Sequence, residues 1–237
     1  METISREDLN WWNQLSYFFG VWLGDGHYIW NPIKPCYQIG FVTMDREILI
    51  KMQVEVESSV KGLKASMWEE TSPNGTKLYR VVYCNKNFTD FVCRATAYKQ
   101  SLPFYTWSTS KESRLNLLSG LMDTDGTIVV QKEPNCRAGF FYTLKFSGTK
   151  GFVREFPDLC RLVGIRVTSE KLETHENPNH ADRWIFNLSL PSAVDNGFKF
   201  NCKRKQARLD DYLEKRKTRY RKVPSETTRQ TALEQKI

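Results

Sequence analysis

Apolar positions along residues 9–24 (LNWWNQLSYFFGVWLG) recur at helical spacing and stop at Gly24, Asp25 and Gly26, which predicts a helix ending on a carboxylate. Two runs of β-type residues follow, around 27–30 and 37–43, and DREILIKMQVEVESSV (45–60) then reads as an amphipathic helix. VKGLKASMWEE (60–70) and KLYRVVYC (77–84) flank the turn signal SPNG and predict a hairpin. NKNFTDFVCRATAYK (85–99) predicts a closing helix that ends before Pro103.

The order then repeats. KESRLNLLSGLMDTDG (111–126) is the second helix that runs into acids and glycine, followed by the strand pair TIVVQKE (127–133) and AGFFYTLKFSG (138–148). TKGFVREFPDLCRLVG (149–164) predicts a helix despite Pro157, and IRVTSEKLE (165–173) with DRWIFNLSL (182–190) predicts a second hairpin across a longer loop. PSAVDNGF and CKRKQARLDDYLEKRK supply the closing helices. Both halves therefore read helix, two strands, helix, two strands, helix, and VKGLKAS aligns with LVGIRVTS so that Gly62 matches Gly164. The expected class is α+β with antiparallel sheets. The expected divisions are 1–105 for the N-terminal half, 106–215 for the C-terminal half and 216–237 for a basic, flexible tail.

Composition narrows the partners. The 237-residue chain is 40% hydrophobic and 26% charged, with apolar runs too short to span a bilayer. Its first residues lack a basic-then-apolar leader pattern, so an intracellular, soluble protein is expected with no membrane partner. The formal net charge of +8 points towards an anionic partner such as nucleic acid. Six cysteines form no C-x-x-C pair and the three histidines carry no ligand spacing, which argues against a zinc site. No phosphate-cradling G-x-x-x-x-G-K loop supports a nucleotide enzyme.

Candidate chemistry sits at the two matched helix ends. An acid at a helix C-terminus is electrostatically unfavourable, because that end already carries partial negative charge, so something positive must compensate. Packing the two helices side by side brings Asp25 and Asp125 together, where hard oxygen ligands suit Mg²⁺ bridged to phosphate oxygens. Gly20 and Gly120, matched five residues ahead of the acids, remove side chains where the backbones approach.

LLSGLMDTDG and FFGVWLGDG, with the doubled element order, resemble the LAGLIDADG homing endonucleases of the single-chain, two-motif type, over nearly the whole chain. The resemblance implies two pseudo-symmetric α-β-β-α-β-β-α halves, with the motif helices at the centre and the strands forming a saddle along double-stranded DNA. It implies a monomer that cuts both strands of a long asymmetric target with a stagger. It further implies Mg²⁺ as cofactor, with Mn²⁺ able to substitute and Ca²⁺ able to bind without supporting cleavage. Asp25 and Asp125 would be the catalytic metal ligands, with Gly24 and Thr124 also at the metal site, and a basic residue would lie late in each half. For the first half that residue is Lys99, whose segment YKQSLP resembles the K-x-I-P run of intein-type relatives. For the second it is Lys203, with Lys205 as rival. The first motif carries Leu23 where the second has Asp123, which is read as a local hydrogen-bonding residue. Tyr28, Trp30, Gln38, Lys64, Ser66, Trp68, Arg80, Gln131, Lys145, Arg166 and Arg183 are candidate DNA contacts on the strands, subject to which face is outward. Without splicing residues at its ends, the chain is expected to be free-standing or intron-encoded. The alternative function is an intron-splicing maturase, acting on intron RNA, or a DNA-binding regulator on the same fold.

Overall fold

A computed structural model describes residues 13–31, 36–132, 140–149, 151–174 and 181–221. The first half comprises α1 (Ser16–Asp25), β1 (His27–Asn31), β2 (Cys36–Thr43), α2 (Arg46–Ser59), β3 (Ala65–Thr71), β4 (Lys77–Cys84) and α3 (Lys86–Ala95). The second comprises α4 (Lys111–Asp125), β5 (Gly126–Lys132), β6 (Phe140–Gly148), α5 (Phe156–Leu162), β7 (Val167–Glu173), β8 (Arg183–Leu188), α6 (Leu190–Asp195) and α7 (Lys203–Arg221). Each half forms one four-stranded antiparallel sheet, with orders β1-β2-β4-β3 and β5-β6-β8-β7. The α+β class with two antiparallel sheets is therefore as the repeat predicts.

Two predicted helices are shorter than their sequences suggest. The 149–164 stretch divides into a 3₁₀ turn (Gly151–Arg154) and α5, because Pro157 lies in the first turn of α5, where its missing N–H costs nothing. The 85–99 stretch leaves the helix after Ala95 and passes through Ala97, Tyr98 and Lys99 with φ of 42°, 54° and 69°. In the other direction, α7 continues to Arg221, past residue 216 where the tail is expected to begin, and residues 222–237 lie outside the described residues.

Motif helices α1 and α4 pack against each other at the centre, and they differ from surface helices in having no polar stripe. Ser16 through Gly24 are all buried, as are Leu117 through Asp123. A Cβ on Gly20 would stand 2.2 Å from the Leu117 carbonyl oxygen and 2.8 Å from the Cα of Gly120. One on Gly120 would stand 2.4 Å from the Tyr17 carbonyl oxygen. The two backbones thus touch where both helices lack a side chain. Around them, α1 presents Phe18 to Phe41 and Tyr83 in edge contacts of 5.6 and 6.3 Å and to Phe88 in a tilted one of 5.5 Å, while Phe146 stacks on Phe156 at 4.0 Å beneath the second sheet.

Sheet register sorts the side chains into faces, since directly opposed residues point the same way. Ile39, Tyr83 and Ala65 share the helix-facing side of the first sheet, as do Ile128, Leu144 and Leu188 in the second. The opposite face carries Gln38, Ser66, Trp68 and Arg80 in the first sheet, and Gln131, Lys145 and Arg183 in the second.

Candidate functional site

The C-termini of α1 and α4 end side by side, each followed directly by a strand. A Cβ on Gly24 would lie 2.0 Å from the Thr124 hydroxyl oxygen and 3.1 Å from Asp125 Oδ2. The Asp125 carboxylate therefore lies against the last turn of the opposite helix, next to the residue that precedes Asp25. Asp25 itself is exposed and Asp125 half-buried. Gly24 and Thr124 are the paired positions whose backbone oxygens lie at this meeting point.

The compensating positive charge that the helix ends require comes from within the chain. Lys99 Nζ donates to the Gly24 carbonyl at 3.4 Å and to the Gly26 carbonyl, and lies 4.6 Å over the Trp22 ring. Lys205 Nζ donates to the carbonyls of Met122 (3.0 Å), Asp123 (2.6 Å) and Thr124 (2.9 Å). Each ammonium thus caps the end of one motif helix, where the peptide dipoles leave carbonyls unpaired. Burial pushes the Lys205 amine below the ordinary lysine value, with Cys202 and Asp123 pulling it back up.

Different local devices deliver the two lysines. In the first half, Thr96 ends α3 with its hydroxyl on the Val92 carbonyl and accepts the indole N–H of Trp22 at 3.1 Å. Left-handed turn residues 97–99 follow, each costing on the order of 1 kcal/mol for an L-residue, and swing Lys99 onto α1. In the second half the lysine sits in the first turn of α7, which two acids from elsewhere hold. Asp123 accepts the backbone N–H groups of Asn201 (3.0 Å) and Cys202 (3.0 Å), and Glu47 accepts that of Lys203 at 2.8 Å. Burial raises the Asp123 carboxyl above its ordinary value, against these hydrogen bonds and that of Tyr17. The difference between Leu23 and Asp123 in the two motifs follows: only the second motif helix has a helix N-terminus to hold.

Of the two second-half lysines, the structure brings Lys205 and not Lys203 to the end of α4. Lys203 is exposed with its backbone on Glu47, whereas Lys205 reaches the end of α4. The signal was present in sequence only as Asp123, whose partners lie beyond local reach. Among the strand candidates, Tyr28 opposes Ile39 and so shares the helix-facing side at the β1 edge, where it is 49% exposed. Trp30 lies on β1, but its side chain is outside the described residues. Lys64 and Arg166 fall just before β3 and β7, and Lys64 pairs with Glu57 at 3.1 Å. Arg80 is held by Glu70 at 2.8 Å beside Trp68, and Arg183 pairs with Glu173 across β7 and β8.

Among the described residues, Asp45, Glu47 and Cys202 bring three potential metal-ligating atoms within 4.8 Å of one another. Arg204 donates to Asp45 and the Lys203 amide to Glu47, so the protein's own donors already engage both acids. No helix among the described residues is long and apolar enough to cross a membrane.

Two matched helices meeting on glycine, acids at their ends and paired four-stranded antiparallel sheets define the fold of the LAGLIDADG homing endonucleases, and this chain has it. Solved structures of the same shape include the homing endonuclease I-WcaI bound to its DNA recognition sequence, with TM-score 0.53, 13% identity and coverage of 87% of this chain and 88% of that one. An I-DmoI variant in complex with its target DNA and manganese matches at TM-score 0.52 and 13% identity, over 78% of this chain and 91% of that one. The LAGLIDADG meganuclease I-AabMI bound to uncleaved DNA matches at 0.50 and 8%, over 86% and 91%. No protein-family profile and no curated protein matches the chain.

Proposed function

We propose that the protein is a LAGLIDADG homing endonuclease that hydrolyses both strands of a long asymmetric duplex with a staggered cut, acting as a monomer with Mg²⁺. The observation that carries the proposal is the juxtaposition of Asp125 Oδ2 with Gly24 on the opposite helix, with a lysine ammonium at each helix end. Carboxylates and carbonyl oxygens are the donors a hard divalent cation takes, so the residues fit Mg²⁺ or Mn²⁺. Asp25 and Asp125 would hold it, beside the Gly24 and Thr124 carbonyls that Lys99 and Lys205 engage. When bound, the ion supplies a polarised water and charge stabilisation at the phosphate.

The chain's own residues do the rest. Asp25 and Asp125 orient the attacking water, one for each strand, while Lys99 and Lys205 place fixed positive charge where the phosphate gains negative charge. Gln38, Ser66, Trp68, Arg80, Gln131, Lys145 and Arg183 line the outward sheet faces, where two-stranded ribbons can enter a major groove and read base edges. Their differing identities in the two halves support a target without strict palindromy. A protein acting on DNA in this way works inside the cell.

Cleavage of a randomised duplex library with Mg²⁺, with Asp125→Asn in parallel, tests the reading. Ends sharing one long asymmetric site, absent with the variant, support it. Duplex binding without any cut would sink it in favour of a regulator or, if intron RNA splicing is stimulated, a maturase.

A further inference from the structure

The two helix ends are not equivalent in what surrounds them. Beside Lys99, the ring of Tyr98 packs edge-on against Tyr28 at 5.8 Å between centroids, and both remain about half exposed, at 55% and 49%. Tyr28 lies two residues past Gly26 and Tyr98 directly precedes the lysine on the left-handed turn, so the pair flanks the carbonyls that Lys99 caps. At the other end the corresponding positions hold no such pair. Ile128 is 1% exposed in the core, and Arg204, which precedes Lys205, is engaged with Asp45 at 2.8 Å.

An exposed aromatic pair is an unfavourable use of surface unless something covers it, and a three-residue left-handed run without glycine is a costly way to hold it. The neighbouring β1 residues turn to the other face of the sheet, where Ile29 opposes Gln38 and the His27 ring stands against Gly40, which among the described residues leaves the tyrosine pair alone at the β1 edge. The edge is therefore aromatic beside a cationic end, a combination that suits nucleobase and deoxyribose rings next to a phosphate.

We propose that Tyr98, braced by Tyr28, is a specificity-determining contact that packs on the deoxyribose and base beside the phosphate served by the first half only. This inference rests on the endonuclease reading and deepens it. It makes cleavage of one strand, and not the other, sensitive to the aromatic ring and to the base step it touches.

The test uses the full chain and the duplex recovered from the randomised library, with each strand end-labelled separately. Tyr98→Gly removes the ring while relieving the left-handed backbone, and Tyr98→Phe keeps the ring. The expected result is that Tyr98→Gly slows cleavage of one strand roughly tenfold, with the other strand keeping its rate. Tyr98→Phe restores the wild-type strand ratio, and Tyr98→Gly has a Tm at or above that of the wild type. Equal slowing of both strands with a fall in Tm would show a structural role and overturn the proposal, as would unchanged rates on both strands. If the wild-type protein neither cuts nor binds any duplex, the endonuclease reading itself fails, an outcome distinct from a wild type that cuts and a variant that cuts identically.

Discussion

The Tyr17 hydroxyl on α1 donates to Asp123 on α4 at 2.8 Å, tying two helices from opposite halves through a buried carboxylate. The same carboxylate accepts from Asn201 and Cys202 at the start of α7, so a single acid joins three elements. Tyr17→Phe removes one hydrogen bond to a charged group and is expected to cost about 2 kcal/mol in urea unfolding. Asp123→Asn cannot accept from all of these donors at once; it is expected to cost about 3 kcal/mol or more and to slow cleavage through misplacement of Lys205.

Lys203 and Lys205 stand two residues apart on α7 and make a discriminating pair of variants. Lys205→Met strips three carbonyls of their donor and removes charge from the helix end, so cleavage should fall on the order of a hundredfold. Lys203→Met touches only an exposed side chain, and its cleavage rate should match the wild type. Single-turnover rates on one duplex compare them directly, and equal losses from both would refute the role given to Lys205.

Glycine substitutions separate two kinds of constraint. Gly20→Ala forces a Cβ against the Leu117 carbonyl, which is backbone and cannot rotate away, and is expected to cost about 3 kcal/mol or more by chemical denaturation. Gly75→Ala has open space around it, but its φ of +82° penalises any side chain, so about 1 kcal/mol is expected. Similar losses at the two sites would contradict the helix contact.

Glu55 gives the protein a pH-dependent weakness. Its carboxylate accepts the Phe18 N–H at 3.0 Å at the start of α1, near Lys51, and burial pushes its carboxyl up to about 7. Below pH 4.5 both folded and unfolded chains hold the proton, and between there and pH 7 only the folded chain does. Stability therefore falls with rising pH across that window, by about 3 kcal/mol in all, and this contribution is level above it. Glu55→Gln should flatten the slope between pH 4.5 and 7, as measured by urea midpoints across pH.

Local periodicity and turn chemistry made the strands, hairpins and motif helices legible from sequence, because each is specified within a dozen residues. The glycine pair was legible as a pair because the repeat supplied its mate. Long-range choices were not. Whether Lys203 or Lys205 meets α4 depends on how Asp123 and Glu47 hold the first turn of α7, across more than 75 residues of chain. The left-handed turn at 97–99 has no glycine to announce it, and the two lysine ammoniums reach the motif helix ends from positions far along the chain. Pro157, by contrast, was a visible signal for the break in the 149–164 helix. The side of the sheet on which Tyr28 lies is set by its register with Ile39, a pairing that the local sequence does not carry.

Because α1 is covered on every side from Ser16 to Gly24, neither half owns a finished surface. Cutting the chain between the halves would leave each piece with a raw apolar seam that only the other can close. The outward strands can drift apart residue by residue, each sheet acquiring its own preferences, without unmaking the whole. A change on the seam has no such freedom, for it must be answered at once from the opposite half.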